Sequence, residues 1–170
     1  ALGVFSTGVG STDLAVALAT GKNWFKVPQT FKIVVKGKAP AGVFAKDIIL
    51  SIIGALGANG ATYKAVEFCG PAIDAMDVDG RMTVCNMVVE MGAKAGFMPV
   101  DARTKAWFKA RVPGGTAIPA IAADADAVYE RVIEFDVSRL TPCVSVPHNV
   151  DTVSPVAQLR ATRIDEAFLG

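Results

Sequence analysis

Asn86 and Glu90 are the residues whose types and spacing first suggest chemistry. They lie in CNMVVEMGAKAG, residues 85 to 96, a stretch that patterns as helix and is otherwise mostly apolar. Residues four apart on an α-helix share a face. The spacing therefore predicts an amide and a carboxylate side by side. An amide both donates and accepts hydrogen bonds, and a carboxylate can take a proton or orient a water. The bland alternative pairs Glu90 with Lys94 across one helical turn, worth roughly a few tenths of a kcal/mol, and leaves Asn86 as an amide satisfied by backbone.

Other chemistry-bearing residues are weaker signals. Gly8 and Gly10 in TGVGSTD are spaced G-x-G ahead of a helix cap, which could bring backbone N–H groups to a phosphate. The third glycine of that fingerprint is missing and no clear strand precedes it, so the stretch reads as a tight turn feeding a helix. His148, the only histidine, lies in SVPHNVD and reads as a loop residue, with no serine or cysteine partner placed beside it. Glu67 closes the YKAVEF strand before Gly70 and Pro71. Strand ends gather ligands in α/β proteins, but a lone glutamate there is more simply a solvated edge residue or a partner for a helix N-terminus. Cys69, Cys85 and Cys143 are odd in number and far apart, with no C-x-x-C pair. They read as free thiols of a reduced, cytosolic protein rather than a zinc, cluster or disulfide framework.

The elements that must position these residues alternate in type. STDLAVALATG reads as a helix capped at Ser11 or Thr12 and stopped at Gly21. FKIVVKG is a β-branched strand running into a turn. AKDIILSIIGALGANG is a second helix and YKAVEFCG a short strand. DVDGRMTVCNMVVEMGAKAG is a third helix, capped by Asp79 and ended by Gly96. FMPVD reads as a strand and ARTKAWFKARV as an amphipathic helix. After Pro113 the chain is small and loop-like as far as YERVIEFDVSRL, the clearest late strand. Beyond Leu140, prolines at 142, 147 and 155 predict extended, irregular chain. The alternation points to an α/β domain with a mixed or mostly parallel sheet and helices on its faces. One α/β region spans residues 1–170, and the change of texture leaves room for a subdomain break near residues 110–125.

Bulk properties narrow the class. A chain of 170 residues with net charge +1 carries no nucleic-acid footprint. No apolar run approaches the ~18 uncharged residues that span a bilayer, and ALGVFSTGVG lacks the basic region of a secretory signal. With 52% hydrophobic and 19% charged residues, the chain is more apolar than most soluble domains. The excess predicts a buried sheet or surface meant for a partner.

Several stretches together resemble the aconitase superfamily, most closely its 3-isopropylmalate dehydratase large-subunit branch. They are GVFSTGVGSTDLAVALATGKNWFKVPQT, AGVFAKDIILSIIG, NGATYKAVEFCGPAID and DGRMTVCNMVVEMGAKAGFMPVD. The last is the most specific. The resemblance implies a lyase that moves water on and off a small hydroxy di- or tricarboxylic acid, here in leucine biosynthesis, with a three-layer α/β/α architecture. It also implies a 4Fe–4S cluster in the complete enzyme, one of whose irons binds substrate as a Lewis acid. On that resemblance Glu90 is the catalytic position, in the acidic network around the open iron. Asn86 lies beside the cluster and hydrogen-bonds to its sulfur or its cysteine ligands. The family's cluster cysteines lie in motifs lacking here, and Cys69, Cys85 and Cys143 do not match them, so no metal ligand is assigned. The resemblance makes the chain a middle piece of a large subunit. It implies partners in the remainder of that subunit and in a small subunit or swivelling domain. By itself the piece is expected to bind no cluster, to be inactive and to self-associate through exposed apolar surface. Homoaconitase, aconitase or a methylated-malate dehydratase of the same superfamily, or a non-catalytic scaffold with this fold, are the alternative readings.

Overall fold

Alternation of apolar and polar residues builds the centre of the molecule. In β1 (Thr30–Lys36), Phe31, Ile33 and Val35 are buried while Lys32, Val34 and Lys36 point to the opposite face. The computed structural model describes residues 2–112, 114, 118, 120–159 and 162–168. Within them, β1 pairs in parallel with β2 (Ala65–Cys69) and β4 (Arg131–Asp136), and β2 pairs in parallel with β3 (Ala95–Phe97). The order is β3-β2-β1-β4. The register sets Phe31 beside Val66 and Ile33 beside Phe68, so one face of the sheet is continuously apolar. This is the parallel α/β class the sequence predicts, with helices flanking the sheet.

The helices bury their apolar stripes on that face. In α2 (Ala45–Leu56), Ile48, Ile49, Ile52 and Ile53 recur at helical spacing and join Phe31, Ile33, Val35, Val66 and Phe68 in one core. Asp47 starts the helix by accepting the Phe44 N–H at 2.7 Å. A short α3 (Pro71–Ala75), absent from the sequence expectations, adds Ile73 to the same core, and α4 (Val78–Asn86) adds Val84 and Cys85. The helix expected over ARTKAWFKARV is α5 (Ala102–Arg111), capped by Asp101. At the other end of the chain, α1 (Ser11–Thr20) buries no residue. Gly10, rather than Ser11 or Thr12, is its cap, and its N–H donates to the Asp13 carboxylate at 3.1 Å.

Two expectations need correction. The helix predicted across residues 77–96 is three elements. Asp77, not Asp79, caps α4 by accepting the Gly80 N–H at 2.7 Å. After Asn86 the coil tightens into a 3₁₀ segment (Met87–Met91), and Gly92 rather than Gly96 ends it. Gly92 has φ 82°, and a Cβ there would lie 3.0 Å from Thr62 Cα, so left-handed geometry and close packing both demand glycine. Chain pairing then wins over helix extension, and Ala95–Phe97 becomes β3 against Ala65–Glu67.

The second correction concerns the irregular chain expected beyond Leu140. It contains an antiparallel hairpin of β5 (Cys143–Ser145) and β6 (Val153–Pro155) and a short 3₁₀ turn at Val156–Leu159. The prolines sit outside or at the end of these strands, where no ladder N–H is needed. Polar clips fix the hairpin to α2. The Cys143 N–H donates to Asp47 at 2.8 Å, and Asp151 accepts the Ala58 N–H at 2.9 Å. Much of the texture change proposed as a subdomain break, at residues 113, 115–117 and 119, lies outside the described residues.

Candidate functional site

The outer flank of α4 forms one wall of a hollow of about 680 Å³. Asp79, Met82, Thr83 and Asn86 line it from the helix, Val89 from the 3₁₀ segment, and Ala95 and Gly96 from the start of β3. Ser6, Thr7 and Gly8, which lead into α1, close the opposite side. The G-x-G stretch leads into the helix as extended chain rather than a tight turn, with Gly10 as the cap and Gly8 bordering the hollow.

Asn86 and Glu90 do not share this hollow. Both are exposed, but Asn86 lines the hollow and Glu90 is not among its lining residues. The change of coil is the reason. Four residues turn through ~400° in an α-helix but ~480° in a 3₁₀ helix. Tightening after Asn86 thus carries Glu90 up to ~80°, under a quarter of a turn, beyond the expected face. The alternative pairing with Lys94 is not made either. The Lys94 ammonium sits 5.1 Å from the centre of the Tyr63 ring, and among the described residues Glu90 forms no salt bridge.

The hollow's position is set by backbone. Ala61 N–H donates to Met91 O at 2.9 Å, Tyr63 N–H to Gly92 O at 2.9 Å, and Lys94 N–H to Lys64 O at 2.8 Å. These bonds tie the turn after Glu90 to the loop that enters β2. Asn86 and Glu90 consequently lie toward the end of the sheet where β2 and β3 begin. The usual strand-end rule would have sent a search to the other end.

Glu67 and His148 are placed apart from this hollow. Glu67 is not at a strand end, because β2 runs on to Cys69, nor is it on an edge strand. It accepts the Tyr129 hydroxyl at 2.7 Å, and the Lys32 ammonium lies 4.8 Å from the centre of that ring. Burial, and then the hydrogen bond to Glu67, push the Tyr129 hydroxyl up to about 12, so it remains a donor at neutral pH. His148 is exposed in the turn between β5 and β6.

The donor set bears on a metal cofactor. Among the described residues no group of three or more His, Cys, Asp or Glu could hold a metal ion. Cys85 is the one thiol that lines the hollow. It is buried, and desolvation pushes its pKa up to about 11, which keeps it a neutral thiol at neutral pH. Cys69 and Cys143 are likewise raised by burial and line neither this hollow nor one another. The residues described supply a wall for a site, not the ligands of a cluster.

Sequence reasoning passed over Arg81. It is 1 % exposed, the largest fully buried side chain among the described residues, and its guanidinium makes four hydrogen bonds. The available signal was an arginine between Val78 and Val84 on the apolar side of a helix. Such a residue must be paired to be tolerated there.

The family described as "Aconitase family (aconitate hydratase)" matches residues 1–168. The chain belongs to the aconitase family. It is 49% identical over 169 residues to a 3-isopropylmalate dehydratase large subunit 2 of Archaeoglobus fulgidus, covering 99% of this chain and 40% of that relative. A 3-isopropylmalate dehydratase large subunit 1 of Thermotoga maritima is 50% identical over 171 residues, covering 99% of this chain and 41% of the relative. A probable methanogen homoaconitase large subunit of Methanothermobacter thermautotrophicus is 50% identical over 170 residues, covering all of this chain and 39% of the relative. The chain thus spans about two fifths of the length of the curated relatives it matches. No helix among the described residues is long and apolar enough to cross a membrane.

Proposed function

We propose that this chain is a section of the large subunit of an aconitase-type hydro-lyase that dehydrates and rehydrates isopropylmalate in leucine biosynthesis, in the cytoplasm. The observation that carries the reading is likeness along the whole chain, at about half identity, to proteins named as large subunits of that dehydratase. Its partners are the rest of the large subunit and a small subunit, and its substrate is a small hydroxy-dicarboxylate. Homoaconitase is the second reading, favoured by equal identity to large subunits carrying that name.

In this reading the chain contributes a wall of the active site. Asn86 offers an amide that donates and accepts from within the hollow. Glu90, exposed on the neighbouring side of the coil, holds or accepts a proton where another part of the enzyme brings substrate to that side. The complete enzyme's 4Fe–4S cluster takes its ligands from residues other than those described here, among which no group of three or more His, Cys, Asp or Glu could hold a metal ion. The isolated chain is inactive and holds no cluster. Iron and sulfide analysis after anaerobic reconstitution checks this, since a stoichiometric 4Fe–4S content in the chain alone would contradict it.

Turnover by the complete large and small subunits on isopropylmalate and on homoaconitate tests the assignment and separates the two readings. Glu90→Gln is expected to lower kcat by on the order of a hundredfold, the scale of a lost acid–base group. Asn86→Ala is expected to lower it by about tenfold or more, as for a removed orienting contact. Wild-type turnover by both variants would remove the two residues from the site.

A further inference from the structure

We propose that Arg81 is a positioning residue that fixes the rotation of α4 about its own axis and so sets where Asn86 points in the hollow. The functional consequence rests on the reading of Asn86 given above, whereas the positioning itself stands on geometry alone.

The flank of α4 that carries Asp79, Met82, Thr83 and Asn86 faces the hollow, with Asp79, Met82 and Asn86 exposed. Its apolar anchor is small, consisting of Val78, Val84 and Cys85. Two or three short side chains resist translation better than rotation, and a one-residue slip would swing Asn86 by ~100°. Arg81 supplies the missing torque. Its Nε donates to Met76 O at 3.2 Å and its Nη2 to Asp74 O at 3.3 Å, both at the end of α3. Nη1 donates to Thr104 Oγ1 at 3.2 Å and Nη2 to Asp101 Oδ2 at 2.6 Å, both in the first turn of α5. Asp101 in turn caps α5, accepting the Thr104 N–H at 2.9 Å through its other oxygen. One planar fork therefore joins α4 to the elements before and after it, from a position one turn ahead of Cys85. The guanidinium's fixed geometry defines a direction, which a lysine ammonium on a flexible stem cannot. Burying a charge here merely for stability would be a poor choice, since apolar replacements of buried ion pairs are often neutral or better. A role in orientation explains its presence.

The test uses the complete large subunit with its small subunit, carrying Arg81→Met or Arg81→Lys. The lysine variant keeps the charge and aliphatic stem and is the one expected to fold if the methionine variant does not. Crystal structures read the direction of the Asn86 side chain, and steady-state kinetics on isopropylmalate read kcat and KM separately. The expected result is a displaced Asn86 and a kcat lower by about tenfold with KM little changed. If a folded variant keeps Asn86 in place and retains its kcat, with only a lower melting temperature, Arg81 is merely structural and the inference fails. Asn86→Ala separates the two layers. Unchanged kcat there overturns the functional role of Asn86, while its displacement in Arg81→Lys would still support the positioning assignment.

Discussion

Asp101 carries more than one role for its size. One oxygen caps α5 and the other receives Arg81. The hydrogen bond from Arg81, aided by the Thr104 N–H and opposed by partial burial, holds its carboxyl well below the usual carboxylate range. A carboxyl depressed in the folded state stabilises the fold above its unfolded pKa of about 4, and the contribution is lost as pH falls below that. Asp101→Asn is therefore expected to lower the melting temperature at pH 7 and to differ less from the parent at pH 3. An equal gap at both values would show that the pair contributes no charge-dependent stability. Partial exposure of Asp101, at 34 % of its side chain, tempers the size of the effect but not its sign. Arg81 and Asp101 were not readable as partners beforehand. They are 20 residues apart, and only the fold brings them together. Asn86, by contrast, was legible from its place in CNMVVEMGAKAG, although the side Glu90 faces was not, because no propensity rule announces a switch from α to 3₁₀ coil after Asn86.

At the scale of elements, the site depends on how closely α4 approaches β3. A Cβ built on Gly96 would lie 3.0 Å from Cys85 Cα and 3.1 Å from Cys85 O. Both obstacles are backbone and cannot rotate away, so Gly96→Ala must push helix and strand apart. The expected cost is about 1–3 kcal/mol, the range for overpacking a tight contact. Urea denaturation should register it as a lower midpoint with unchanged slope. A midpoint equal to the parent's would mean that α4 has slack against the sheet. β1 and α2 were recoverable from the sequence because their burial periods of two and 3.6 run long enough to be unambiguous, whereas β3, only three residues long, was read partly as helix. The β5–β6 hairpin was not. Its strands are three residues each, flanked by prolines, and are clipped through Asp47 of α2 and through Asp151 of their own turn to the Ala58 N–H, over ninety residues apart in sequence.

Over the whole molecule, the most conspicuous mismatch between composition and burial is the segment that leads into the sheet. Leu18 is 80 % exposed and Trp24 83 % exposed, and Leu14, Phe25 and Val27 are exposed with them. A helix such as α1, apolar at Leu14 and Leu18 yet burying nothing, is the pattern of a surface that is covered in an assembly. The same excess of apolar residues was visible in the composition, but composition could not say whether it filled the core or faced outward. The sheet and the helices packed on it account for the core, and the exposed apolar side chains include a run at residues 4 to 27, with others spread along the chain as far as Phe168. The isolated 170-residue chain is therefore expected to self-associate at micromolar concentration. Replacing Leu18 and Trp24 together by lysine should shift it toward the 17.7 kDa monomer in light scattering, with little loss of thermal stability because neither side chain reaches the core. If the parent chain is already a monomer at that mass, this surface is tolerated by water and the surplus needs another account. If the double lysine variant unfolds instead, α1 supports the core in a way its exposure conceals.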